Sequence, residues 1–261
     1  MSGRDAWLRW REGRERELRG PDSWFGVVGL FWLEPGRNAV GSDPTATVVL
    51  PAGPVRLGEL EWADGKVTWH PAGGGPRALE TDIVGRPTAV DHENLSFFVV
   101  DRDGRLAARV RDRDWAARRP FAGIDCYDYD PAWRIEATWE VLDPPLTLDV
   151  PNVSGELKRV SVTHRARFAV AGADVALVPA IVGDGQVFFT FRDRTSGRAT
   201  YGAGRFLHAA VPVDGRIVLD FNFAFTPPCA FTSFATCPLP PPENGLPFAL
   251  PAGEKYGGKD A

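Results

Sequence analysis

Four Asp-Gly pairs punctuate this chain, at Asp64-Gly65, Asp103-Gly104, Asp184-Gly185 and Asp214-Gly215. An Asp-Gly dipeptide beside alternating apolar runs is the strongest short-range signal for a tight β-hairpin, because both turn residues must take positive φ. Each pair sits near such runs, so the sequence predicts antiparallel ribbons for most of its length. In LSFFVVDRDGRLAARVRD, residues 95–112, the period of two is explicit. Leu106, Ala108 and Val110 point one way; Arg105, Arg109, Arg111 and, one step on, Arg113 point the other. Further strands are expected at 133–141, 158–170, 174–182, 186–191, 205–211 and 216–223. Long helices and alternating strand–helix units are missing, which excludes a doubly wound sheet.

The one long helical pattern lies at the start. Over residues 4–19, Trp7, Trp10, Arg14 and Leu18 share a face, Arg and Glu alternate at three- and four-residue spacing, and Pro21 ends the pattern. The next segment, DSWFGVVGLFWL (Asp22–Leu33), is apolar on every side and reads as a short helical turn followed by a buried strand. A compositional seam follows: all nine Trp lie at or before Trp139, and eleven of the sixteen Phe lie at or after Phe168. The Pro-rich stretch 142–157 falls at this seam, and the tail at 251–261 is Gly-rich and charged, so its last few residues are expected to be loose. The expected architecture is therefore mainly β: an N-terminal helix (1–22), a sandwich-like N-terminal β subdomain (23–145) and a barrel-like C-terminal β subdomain (146–261).

Charge narrows the partners. The formal net charge is −4, which argues against a nucleic-acid face. The first twenty residues are too charged for a signal segment, and no run of about eighteen apolar residues exists to span a membrane. A cytoplasmic location is expected, where thiols stay reduced.

Three stretches carry candidate chemistry. FRDRTSGRATYGAGRF (191–206) offers Arg192, Asp193, Tyr201 and Arg205 around Gly202 and Gly204. Arginines suit an anionic ligand and glycines let backbone approach it closely; the alternative is a hairpin with a surface ion pair. Next comes LDFNFAFTPPCAFTSFATCPLPPPEN (219–244). Asp220 and Asn222 alternate with Leu219, Phe221 and Phe223 as if on one strand face, and prolines stiffen the segment that holds Cys229 and Cys237. These cysteines are open to four readings: a nucleophile, half of a metal site, a disulfide or buried packing. Their eight-residue separation fits no zinc pattern, so no metal is assigned. The third stretch is the arginine run from Arg102 to Arg119, where Arg111 and Arg119 are candidate clamps for an acidic ligand and the alternative is a solvated, salt-bridged face.

Together these pieces resemble a bacterial family known as domain of unknown function 1684, over nearly the whole chain. The resemblance rests on WLRWREGRERELRGPDSWFGVVGLFWLEPGRNAVGS, RVRDRD with RRPFAG, FRDRTSGRATYGAGRFL and LDFNFAFTPPCAFTSFATCPLPPPENGLPFALPAGEK. Thr226 stands where the family usually has Asn before Pro-Pro-Cys-Ala. The resemblance implies a site in the last motif without implying an activity. A weaker likeness of GRNAVGSDPTATVVLP to the opening of forkhead-associated sandwiches implies shared strand–turn grammar, and the serine and histidine pattern of those phosphothreonine readers is not found in RLGELEWADGKVTWH.

Two function classes stay open at this point. One is an enzyme or binder of a small, anionic molecule in a C-terminal pocket, with Asp220, Cys229 and Cys237 as catalytic candidates. Arg192, Asp193, Tyr201, Arg205, Asn222 and Arg111 are then the ligand-binding candidates. A flavin-using split barrel is one version, on architecture alone; the sequence assigns no cofactor and no oligomeric state. The other class is a non-catalytic module for a ligand or protein.

Overall fold

The computed structural model describes residues 2–153, 155–170, 172–183 and 185–256. The hairpin turns form where the Asp-Gly pairs stand. Asp64, Asp103 and Asp214 take φ of +51°, +57° and +48°, and the glycines after them +71°, +84° and +70°, the left-handed pairs that match the twist of the flanking strands. Asp184 of the fourth pair lies outside the described residues.

Helix α1 (Gly3–Arg19) opens the chain, as its periodicity predicts. The chain divides into two compact units, one of residues 17–121 and one of residues 1–16 with 122–261.

In the N-terminal unit a single 3₁₀ turn, Trp24–Gly26, leads into β1 (Val27–Trp32). The strands β2 (Gly36–Gly41), β3 (Val48–Val49), β4 (Gly58–Ala63), β5 (Lys66–Pro71) and β6 (Arg77–Leu79) follow. After them come β7 (Val90–His92), β8 (Leu95–Arg102), β9 (Arg105–Asp112) and the short helix α2 (Arg113–Arg118). One sheet has the order β1-β9-β8-β7 and the other β3-β2-β4-β5-β6. Between them lies one core: Val40, Leu60, Val67 and Trp69 from the second sheet meet Phe97, Val99, Leu106, Ala108 and Val110 from the first. This is the sandwich expected from the alternation. The opposite face of β8 and β9 carries Phe98, Val100 and Ala107, and by the same alternation Arg109 and Arg111. Asp112 ends β9 by accepting the amides of Asp114 and Trp115, which starts α2.

Among its described residues the C-terminal unit has seven strands: β10 (Arg134–Pro151), β11 (Leu157–Val170), β12 (Ala173–Leu177), β13 (Ile181–Gly183), β14 (Gln186–Phe191), β15 (Arg205–Ala210) and β16 (Arg216–Asp220). They form two sheets, β12-β11-β10-β16 and β13-β14-β15, around a shared core of Phe168, Leu177, Phe189, Phe191, Leu207, Leu219 and Phe221. Hydrogen bonding does not close these sheets into a cylinder among the described residues. The Pro-rich stretch after Leu142 belongs to β10, which takes a register shift between Val141 and Leu146 and pairs with β11 out to Pro151. The tail is woven in through residue 256, with Ala252 and Glu254 buried; the looseness expected beyond it falls on residues 257–261, outside the described residues. No helix among the described residues is long and apolar enough to cross a membrane.

Candidate functional site

The sequence candidates of the C-terminal unit divide into three groups. Arg205 and Asp193 are wholly interior: both side chains are fully buried and paired at 2.8 Å. Arg205 also donates to the carbonyls of Leu250 and Ala252, while Asp193 accepts the amides of Thr195 and Leu250. A guanidinium whose two terminal nitrogens are held in this way is a structural pin, with burial pulling its pKa down and Asp193 opposing that shift; its Nε is buried without a hydrogen-bond partner. Arg192, one residue earlier, points to solvent, and its backbone pairs with Asn244 and Leu246. Gly204 serves the protein's own packing: at φ +108° its Cα faces the Phe191 carbonyl, 2.5 Å from where a Cβ would stand.

Asp220 and Asn222 form the second group. The strand stops at Asp220, whose carboxylate caps a 3₁₀ turn, Phe221–Phe223, by accepting the Asn222 amide. Asn222 is buried; its side chain donates to Asp220 and to the Asp130 carbonyl and accepts the Asp130 amide. The alternation that predicts a continuous strand to 223 is thus broken by a side-chain cap, and these polar atoms hold chain together.

The third group converges in part. Tyr201 and Cys229 are neighbours: the Tyr201 hydroxyl donates to the Cys229 carbonyl at 3.1 Å. All three cysteines are free thiols. Hydrogen bonding to Cys237 lowers the pKa of Cys229 against the opposing effect of burial, whereas burial and Glu254 push Cys126 up to about 12. Among the described residues no three His, Cys, Asp or Glu side chains gather as metal ligands.

A cavity of about 460 Å³ lies elsewhere, entirely within the N-terminal unit. Arg86, Arg109, Arg111 and Arg113 line it together with Asp22, Asp82 and Asp91, and Trp24 and Phe98 form its aromatic wall. Strand alternation builds the basic side. Arg109 and Arg111 are two apart on β9, and their cross-strand partners on β8 are Phe98 and Ser96. The Arg111 guanidinium lies over the Phe98 ring at 4.6 Å and that of Arg109 over Trp24 at 5.0 Å.

The cavity's acids are engaged. Arg102 pairs with Asp82 at 2.8 Å, and Arg113 pairs with Asp91 at 2.7 Å and Asp22 at 3.1 Å. Arg111 is half-buried and makes no ion pair among the described residues; its Nε is buried without a hydrogen-bond partner. Burial pulls its pKa below the ordinary value and Asp22 opposes this, while Arg113 and Arg86 add to the lowering. Arg119, the other candidate clamp, instead lies over Phe25 and Trp115 and does not line the cavity. Arg109 was legible as Arg111's companion on the strand face. Trp24, Phe98 and Arg86 were not, since only the folded chain brings them alongside.

Comparison with known families gives a match to the one described as "Protein of unknown function (DUF1684)", over residues 119–255, about half of the chain. The chain belongs to the DUF1684 family. The matched span is shorter than the near full-length resemblance of the motifs. It contains Cys229, Cys237 and the Asp193–Arg205 pin, while every residue lining the arginine cavity precedes it. A similar solved structure, by solution NMR, is that of an uncharacterized protein from Haloarcula marismortui. It is 32% identical, with 54% of this DUF1684 chain and 80% of that one covered, at a TM-score of 0.44. No curated protein matches.

Proposed function

We propose that this protein binds a small oxyanion, a molecule bearing phosphate or carboxylate groups, in the arginine-lined cavity of its N-terminal unit. The observation that supports this reading is the state of Arg111. A guanidinium cannot shed its charge in a protein, yet this one is desolvated, flanked by Arg86 and Arg113, and has an unpartnered inner N–H. Without a ligand that arrangement is unfavourable; a bidentate oxyanion offers the missing acceptor and the counter-charge together. Stacking on Phe98 holds the guanidinium plane in place, so little rotamer entropy is lost on binding.

The reading favours binding over turnover. Each lining carboxylate is held by an arginine, and among the described residues no thiol or histidine lines the cavity. The C-terminal pocket expected around Arg205 has no part in it, because that arginine is fully buried and its charge is paired with Asp193.

Titration calorimetry with inorganic phosphate, pyrophosphate and citrate tests the proposal. One saturable site is expected for at least one of them. A charged hydrogen bond is worth about 1.5–3 kcal/mol, so Arg111→Gln should weaken binding by about 10- to 100-fold. No saturable binding of any of the three, or equal affinity in Arg111→Gln, overturns the reading.

A further inference from the structure

An oxyanion at Arg111 occupies one end of the arginine cavity, and the groups beyond it bear on what the rest of the ligand is. At about 460 Å³ the cavity lies in the range that holds small organic molecules, and a bare phosphate would leave most of it empty. The sheet sets out polar groups in a row. Asp91 on β7 stands in register with Ser96 on β8, and Ser96 with Arg111 on β9; all three line the cavity. Neighbouring strands lie about 4.8 Å apart, so a carboxylate, a hydroxyl and a guanidinium follow one another over about 10 Å of one sheet face.

Two of the lining carboxylates keep an open oxygen. Arg113 donates to Oδ1 of Asp91 at 2.7 Å and to Oδ1 of Asp22 at 3.1 Å. Neither Oδ2 accepts a hydrogen bond among the described residues, and the two side chains are 57% and 47% exposed. Asp82 differs, because Arg102 takes both of its oxygens. An ammonium group on a ligand would meet Arg86, Arg111 and Arg113, while the charges of Asp91 and Asp22 are already spent on Arg113. A hydroxyl carries no charge, and it can donate to a carboxylate oxygen while accepting from the guanidinium beside it. Among the described residues four arginines face three aspartates in the lining, a balance that favours an anion bearing hydroxyls over a zwitterion.

Resting on the oxyanion reading of Arg111, we propose that the cavity takes a polyhydroxylated oxyanion, a sugar phosphate or a sugar acid, with its acid group at Arg111 and its hydroxyls along Ser96, Asp91 and Asp22. The row across β9, β8 and β7 is then the track of the ligand body, and the Asp–Arg113 pairs read its hydroxyls.

Titration calorimetry of the whole protein at neutral pH compares ligands matched in acid group and carbon number: glucose 6-phosphate with hexyl phosphate, and gluconate with hexanoate. The hydroxylated member of at least one pair is expected to bind at least ten-fold tighter, as two or three ordinary hydrogen bonds allow. The pair that shows this tells phosphate from carboxylate as the acid group. Asp91→Ala and Asp22→Ala, both at exposed side chains, should each cut the preference several-fold. The member without hydroxyls should bind those variants as tightly as it binds the wild type or more tightly, because Arg113 loses a partner in each. Arg111→Gln should weaken both members alike. Equal affinity within both pairs overturns the inference, and it leaves the oxyanion reading standing if that common affinity still falls in Arg111→Gln. A preference that survives both aspartate variants unchanged overturns it in the same way. Absence of all oxyanion binding overturns the two together.

Discussion

Neutralising Asp193 puts the interior of the C-terminal unit to its hardest test. Its carboxylate is fully buried, 2.8 Å from an equally buried Arg205, and accepts the Thr195 amide at 2.7 Å and the Leu250 amide at 3.2 Å. Asp193→Asn keeps Oδ1 as the acceptor for the two amides, but it removes the counter-charge and replaces the Oδ2 that accepts from Arg205 with an NH2 group. Breaking a buried ion pair from one side costs about 3–5 kcal/mol, because the remaining charge is left uncompensated. Arg205 retains the Leu250 and Ala252 carbonyls, which places the Asn variant at the lower end, near 3 kcal/mol. Asp193→Ala also orphans two buried amides at about 1 kcal/mol each or more, so it should reach about 5 kcal/mol. That separates the variants by about one to two powers of ten in the folding equilibrium. Replacing both partners by apolar residues of similar volume should be milder than either single change. Urea unfolding followed by circular dichroism reads all four proteins. If Asp193→Asn costs less than about 1 kcal/mol, Arg205 is not a desolvated charge held by this carboxylate, and the pin is misread.

Two further outcomes follow from the same interior. Asn244 is fully buried and closes three bonds, accepting the Val178 amide at 2.8 Å and donating to the carbonyls of Val178 at 2.8 Å and Thr190 at 2.7 Å. Asn244→Asp should destabilise more than Asn244→Ala, itself by about 3 kcal/mol, because a carboxylate repels the two carbonyls; thermal melts compare them. Cys126 ionises near 9.0 when unfolded and near 12 when folded, so its contribution is fully present below pH 9 and is lost as pH rises towards 12. Cys126→Ala should remove that alkaline slope from the stability-against-pH curve, and iodoacetamide should label Cys126 at neutral pH only after unfolding.

Much of the β framework was legible because its causes are local. Alternation in 95–112 assigns Val110 to the core and Arg111 to the other face, and both sit so. The Asp-Gly pairs locate turns through the φ preferences of two residues. The helix could be read from its periodicity, with Trp7 and Leu18 buried on the predicted face. Asp220 and Asn222 were picked out rightly as unusual but for a different role, since a strand face and a capped turn look identical in the order LDFNF. Only the reach of the Asp220 carboxylate to the Asn222 amide decides between them.

The sequence by itself determined the hairpin turns, the faces of the strands, the N-terminal helix and the singular Pro-Cys stretch. These depend on backbone preferences and on spacing within a few residues. The tertiary structure alone decided which charges are spent and which are available. Arg205 and Arg111 both stand on β-strands beside aromatic rings, and nothing nearby in sequence tells them apart. Folding gives Arg205 a buried carboxylate twelve residues away and two carbonyls from more than forty residues on. It gives Arg111 a cavity and two arginine neighbours but no carboxylate partner among the described residues. The reason is physical: the cost of desolvating a charge, and its relief, are set by every atom within a few ångströms, and most of those arrive from distant parts of the chain.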